Sequence, residues 1–144
     1  PRGPSLPERD VGDKPPFLRF AASTPAQLLA ADEAHRQRLR MLRSLDATMG
    51  ALLDQMRAAG RLDDAYVVFM SDNGWHHAYH NLPAGKGTAF EEDARVPLVV
   101  RGPGIPAGRI VRRLVGNADI APTLSRMLGV PVPSMSEGRP LPLP

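Results

Sequence analysis

The clearest rhythm in the chain is helical and runs from Thr24 to Gly60. Apolar residues stand at Leu42, Leu45, Met49, Leu52 and Met56, spaced 3, 4, 3 and 4 apart, which makes one stripe on a helix. Thr24-Pro25-Ala26-Gln27 reads as its start: a threonine N-cap, proline at the first helical position and glutamine three after the cap. Gly60 is a suitable stop. So long a helix is unusual, and a break near Ala30 to Glu33 is expected. The pattern then changes. Ala65 to Ser71 is almost continuously apolar, as in a central parallel strand covered by helices on both faces. Residues 74–95 follow neither period and form a long loop, and a loop of that length is more often functional than a plain connector. Pro97 to Arg101 and Arg109 to Val115 are predicted as second and third strands. Asp119 to Leu128 is predicted as a second helix, ended by Gly129.

This order indicates an α/β layered fold with a mostly parallel sheet flanked by helices. Three segments result. Residues 1–23, with five prolines, form an extended or irregular arm. Residues 24–130 form the α/β unit, and residues 131–144 a proline-rich tail. At 144 residues the chain is long enough for one real core.

Composition removes several classes of function. The chain has no cysteine, so disulfides, thiolate metal sites and a cysteine nucleophile are all excluded. No apolar run approaches the roughly 18 residues that a membrane span needs, and no membrane partner is expected. The net charge of +3 comes largely from arginines, including Arg36, Arg38, Arg40 and Arg43. These are interspersed with acids and lack aromatic neighbours for base stacking, so nucleic acid is not expected as a partner either.

The candidate chemistry lies in AYVVFMSDNGWHHAYHNLPAGKG, residues 65–87. Asp72 and Asn73 fall at the carboxyl end of the apolar strand, where open α/β sheets bind ligands. A carboxylate beside an amide oxygen suits Ca²⁺ or Mg²⁺, though Asp-Asn-Gly is equally a tight-turn sequence. Lys86, between Gly85 and Gly87, is either a solvated loop lysine or a point charge aimed at a tetrahedral oxyanion. His76 and His80 have the spacing for one helical face and hence for zinc, but the flanking glycine and proline oppose a helix. His80 is the candidate hydrogen-bond donor or general acid to a leaving oxygen. Glu91, Glu92, Asp93 and Arg95 read as a solvated turn with a local ion pair.

Taken in order, FMSDNG, HNLPAGKGTAFEEDARVPLVVRGPGIPAG and NADIAPTLSRMLGV resemble the sulfatase family of the alkaline-phosphatase-like superfamily. The resemblance extends over residues 33–142. It implies sulfate-ester hydrolysis by a formylglycine and a divalent cation, usually Ca²⁺, with Mg²⁺ as the other option. It implies Asp72 and Asn73 as metal ligands, Lys86 as the contact to the substrate sulfate, and His80 at the histidine of the family's Gly-Glu-His. The implied substrate is a sulfate ester, on a glycan or an aryl group.

The departures are specific. No C/S-x-P-S-R motif for formylglycine occurs, and the family's early Asp-Asp pair is absent. Ala78-Tyr79 stands where Gly-Glu is usual. The chain therefore resembles the C-terminal part of a sulfatase catalytic domain, and the N-terminal half of that domain, with its formylglycine, is the expected missing partner. By itself it is expected to be inactive and, with its apolar strand edges open, prone to aggregate. Two other readings stand: a phosphonate monoester or phosphodiester hydrolase of the same superfamily, and a non-catalytic module binding sulfated glycans.

Overall fold

In the computed structural model, residues 6–143 are described. Helix α1 covers Pro25–Ala58. Its start is the expected capping box: the Thr24 side chain accepts from the Gln27 amide, and the Gln27 side chain accepts from the Thr24 amide. The break expected near Ala30 to Glu33 does not occur. Alanine and glutamate in that stretch are strong helix formers, and nothing there removes a backbone donor. Gly60, at φ 65°, takes the left-handed turn that closes the helix. The apolar stripe is only partly covered: Leu42, Leu45 and Leu52 are exposed, and Met49 and Met56 are half-buried.

Strand β1, Val67–Met70, pairs with β2, Leu98–Arg101. The pairing is antiparallel, with Val67 opposite Arg101 and Met70 opposite Leu98. Among the described residues this two-stranded ladder is the whole sheet, so the expected mostly parallel sheet is not seen. Val67–Met70 are half-buried rather than enclosed on both faces. The strand expected over Arg109 to Val115 does not form either. It has no neighbouring strand to take its backbone bonds, and Ile110 and Leu114 point into solvent.

The remaining elements are short. Helix α2 is Glu91–Ala94 and α3 is Ile120–Met127, the latter within the range the sequence suggested. Single 3₁₀ turns lie at Pro16–Leu18, Tyr79–Asn81 and Asn117–Asp119.

Single residues anchor the arm and the tail; of the 1–23 and 131–144 assignments, residues 1–5 and 144 lie outside the described residues. Leu6 packs with Leu28, Ala31 and Ala78 in a small buried cluster. Glu8 and Asn81 exchange bonds: the Glu8 amide donates to Asn81 Oδ1, and Asn81 Nδ2 donates to the Glu8 carbonyl. At the other end Leu141 is buried, and its amide donates to Thr123 Oγ1. The Arg139 amide donates to Asp119 Oδ1. The arm is thus tied to the loop that carries the candidate chemistry, and the tail to α3 and the turn before it.

Candidate functional site

β1 delivers Ser71, Asp72 and Asn73 at its carboxyl end, and local bonds fix this turn. Ser71 Oγ donates to the Asn73 carbonyl at 2.8 Å, and the Asn73 amide donates to Asp72 Oδ1 at 2.8 Å. From the far side, Asn117 Nδ2 donates to the Asp72 carbonyl at 2.7 Å. The Asn73 amide group is oriented by its bonds: Nδ2 gives to the Gly74 carbonyl at 2.9 Å, which leaves Oδ1 outward. Lys86 Nζ donates to that Oδ1 at 2.9 Å. Lys86 and Asn73 therefore meet although thirteen positions separate them, and Asp72 is the neighbour of Asn73 along the chain.

The loop that returns Lys86 is held by a buried polar group. The amide and carbonyl of His76 pair with the carbonyl and amide of Gly85, at 2.9 and 3.1 Å, one rung of an antiparallel bridge next to Lys86. The His76 ring is buried. Its Nδ1 lies 2.8 Å from Asp93 Oδ1, and its Nε2 lies 3.0 Å from the Pro83 carbonyl. Asp93 Oδ2 accepts from both the amide and the hydroxyl of Thr88, each at 2.8 Å. Burial is the largest single influence on the Asp93 carboxyl and opposes its charge. The two Thr88 bonds and His76 together outweigh it and hold the carboxyl below the usual carboxylate range. The Asp93 carbonyl accepts from the Gly74 amide at 2.7 Å. A Cβ at residue 74 would fall 1.9 Å from the Glu92 carbonyl oxygen, so only glycine allows β1's end to pass so close to α2.

His80 goes elsewhere. Its ring stacks on Phe90, with centroids 3.9 Å apart. Its Nδ1 lies 3.1 Å from a Glu8 carboxylate oxygen and its Nε2 lies 3.3 Å from one of Glu92. Glu8 also receives Lys14 Nζ at 2.6 Å, and this bond is the main reason its carboxyl stays below the usual range. His80 thus ties the N-terminal arm to α2, and both its nitrogens are engaged there. His77 lies against Arg38, which also stacks over Trp75 at 4.6 Å. Burial, then the nearby Arg38 charge, lowers the His77 pKa.

The three histidines therefore face three different sets of partners. Among the described residues no group of three or more His, Cys, Asp or Glu side chains is placed to hold a metal ion. The zinc possibility at His76 and His80 finds no support in this arrangement. Asp72 and Asn73 do fit a hard cation by donor type, as two adjacent oxygens without competing sulfur or imidazole.

One residue group was misread from sequence. Glu91 does make an exposed i,i+4 pair with Arg95, as a solvated turn would. Asp93 is instead among the most buried polar residues, and Glu92 reaches His80. Asn117 carried no chemical signal that spacing could reveal. The backbone supplies another finding: Ala78 has φ 61°, a conformation natural to the glycine that the sulfatase resemblance places there. His80 and Asn81, both at φ 57°, continue the same left-handed turn.

Comparison with known proteins fits this arrangement. The sulfatase family model matches residues 6–130, and the chain belongs to the sulfatase family. It is 43% identical over 103 residues to an extracellular sulfatase SULF-1 homolog of Drosophila melanogaster, covering 72% of this chain and 9% of that protein. It is 38% identical over 130 residues to an arylsulfatase of Volvox carteri, covering 87% and 20%. It is 36% identical over 116 residues to the human N-acetylglucosamine-6-sulfatase, covering 78% and 21%. Among solved structures it resembles BT4656 in complex with its substrate D-glucosamine-2-N,6-O-disulfate. The TM-score is 0.74 at 31% identity, over 83% of this chain and 24% of that one. That neighbour has the alkaline-phosphatase-like fold. The chain thus spans between 9% and 24% of the length of these four proteins.

Proposed function

We propose that this chain forms part of a sulfate-ester hydrolase, contributing two oxygen ligands for a divalent cation and one cationic contact to the sulfate. The observation that carries this is the return of Lys86 to the carboxyl end of β1, where its Nζ lies 2.9 Å from Oδ1 of Asn73, the neighbour of Asp72. Asp72 and Asn73 are the ligands. Ca²⁺ is favoured, and Mg²⁺ is the alternative; either takes oxygen donors, and Ca²⁺ takes about six to eight of them, so other residues must complete its shell. When bound, the cation offsets negative charge on the sulfate oxygens.

Lys86 does the work assigned to this chain. Its ammonium is a compact, strongly hydrated charge, suited to a tetrahedral oxyanion that no planar fork is needed to grip. Held against Asn73 before substrate arrives, it is preorganised for charge on the oxygens of the transferring sulfuryl group. Glycines on both sides leave room for the anion to approach the backbone. His80 has both nitrogens engaged by Glu8 and Glu92, and in this reading it serves the loop's shape. The nucleophile is not among these 144 residues, because neither cysteine nor a C/S-x-P-S-R sequence occurs in them.

The substrate class is a sulfate ester. The solved neighbour's disulfated glucosamine and the names of the relatives favour a sulfated sugar or aryl sulfate. The test is a titration of the ¹⁵N-labelled chain with inorganic sulfate, followed by NMR. Shifts centred on Gly85, Lys86 and Gly87 that vanish in Lys86→Ala are expected. Sulfate binding that survives Lys86→Ala would remove the lysine from the site. Hydrolysis of an aryl sulfate by the 144-residue chain would show that the nucleophile has been looked for in the wrong place. Uptake of two transition-metal ions would favour the phosphonate or phosphodiester alternative.

A further inference from the structure

We infer that the buried His76–Asp93 pair is a positioning element that sets Lys86 against Asn73, and so fixes the distance between sulfate contact and metal ligand. The inference rests on the proposed function for its purpose, but its geometry stands separately.

Both nitrogens of His76 face acceptors: the Asp93 carboxylate on one side and the Pro83 carbonyl on the other. The ring is thereby fixed between two elements of the loop. Asp93 has no spare capacity either. His76 Nδ1 lies 2.8 Å from Oδ1 and 3.0 Å from Oδ2, and Oδ2 also takes the amide and hydroxyl of Thr88. The pair therefore bridges three places along the loop: residue 76, residue 83 and residue 88. Lys86 lies between the last two, directly after the His76–Gly85 rung. Through its own carbonyl Asp93 also grips Gly74, next to Asn73. One carboxylate residue thus holds the chain on the Asn73 side and on the Lys86 side. Neither His76 nor Asp93 touches the point where Asn73 and Lys86 meet. A buried polar pair commonly adds little net stability over apolar packing, and a defined register is its best-attested use.

The test is amide hydrogen exchange on the full 144-residue chain, wild type against Asp93→Asn and His76→Gln. Asparagine offers one acceptor oxygen where the carboxylate has two, so His76 and the two Thr88 donors must share it. The amides of His76, Gly85 and Thr88 are expected to exchange at least about tenfold faster, while those of the β1–β2 ladder stay within about twofold. A uniform rise across the chain would overturn the inference, because the pair would then hold the fold and not the lysine. No change at the loop would overturn it equally. Should Asp93→Asn give no dispersed spectrum, Thr88→Val removes one bond to the same carboxylate with little change of shape, and the same local pattern is required of it.

A second arm separates positioning from simple support. Asp93→Asn should weaken sulfate binding in the wild-type background by about the same factor as Lys86→Ala, and should weaken it no further in the Lys86→Ala background. Additive losses would contradict an action through Lys86. If the wild-type chain fails to bind sulfate at all, the proposed function falls, while the exchange pattern still decides whether the pair clamps the loop.

Discussion

The loop from Asp72 to Asp93 and helix α1 are built on opposite principles. In the loop, buried side chains are largely polar: His76, Asn81 and Asp93 are all buried, and each has its partners. In α1 the apolar stripe is regular, yet Leu42, Leu45 and Leu52 remain exposed. The loop's order comes from directional bonds that specify one arrangement. The helix's order comes from local bonds, a capped start and good propensity, which specify a helix but not what it packs against. The contrast shows where shape is determined within this chain and where it waits for other surfaces.

Breaking the loop should cost the most. Asp93→Ala leaves the His76 ring and the Thr88 amide and hydroxyl facing nothing in a buried place. About 3–5 kcal/mol should be lost, read as a lower midpoint in urea unfolding. A loss below about 1 kcal/mol would mean that water replaces the carboxylate without penalty.

Acid should sharpen the same contrast. The His77 pKa lies below the ordinary histidine value of 6.5, so the folded state binds this proton less readily than the unfolded chain. That contribution is complete above pH 6.5 and declines as pH falls through the lowered value. The carboxyls of Asp93 and Glu8 are also lowered, from 3.8 and 4.5. Their contributions are complete above those values and disappear as pH falls below them. Stability should therefore fall in two stages on acidification, the first at His77 and the second at Asp93 and Glu8, which hold the loop and tie it to the arm. Helicity followed by circular dichroism should outlast loop amide protection in that second stage. Simultaneous loss of both would contradict the distinction between the two regions.

The smallest effect is expected on the helix. Leu45→Gln replaces a 43%-exposed leucine and should change stability by less than about 0.5 kcal/mol. A clear loss would show that another surface covers α1 in solution.

Much of this was legible in the sequence, and the part that was not has a common cause. The α1 boundaries followed from Thr24, Pro25, Gln27 and Gly60, because caps act over three or four residues. Asp72, Asn73 and Lys86 could be selected because order along the chain was enough to align them with a known family. Asp93 looked like a surface acid because its partners, His76 and Thr88, lie on both sides of a loop whose path no periodicity reveals. His80 was read as chemistry because its second partner, Glu8, is 72 positions away. The parallel sheet was inferred from the apolar run at Ala65 to Ser71. Such a run reports that both faces can be buried, and it leaves the direction of the neighbouring strand undetermined.

The central claim is that Asp72 and Asn73 hold a divalent cation beside Lys86. Calorimetric titration of Ca²⁺ into the wild-type chain and into Asp72→Ala tests it most directly. With only two protein ligands, binding of one ion per chain with a Kd on the order of 10⁻³ M is predicted, lost in Asp72→Ala. Binding of equal strength in Asp72→Ala, or no binding by the wild-type chain, would contradict it.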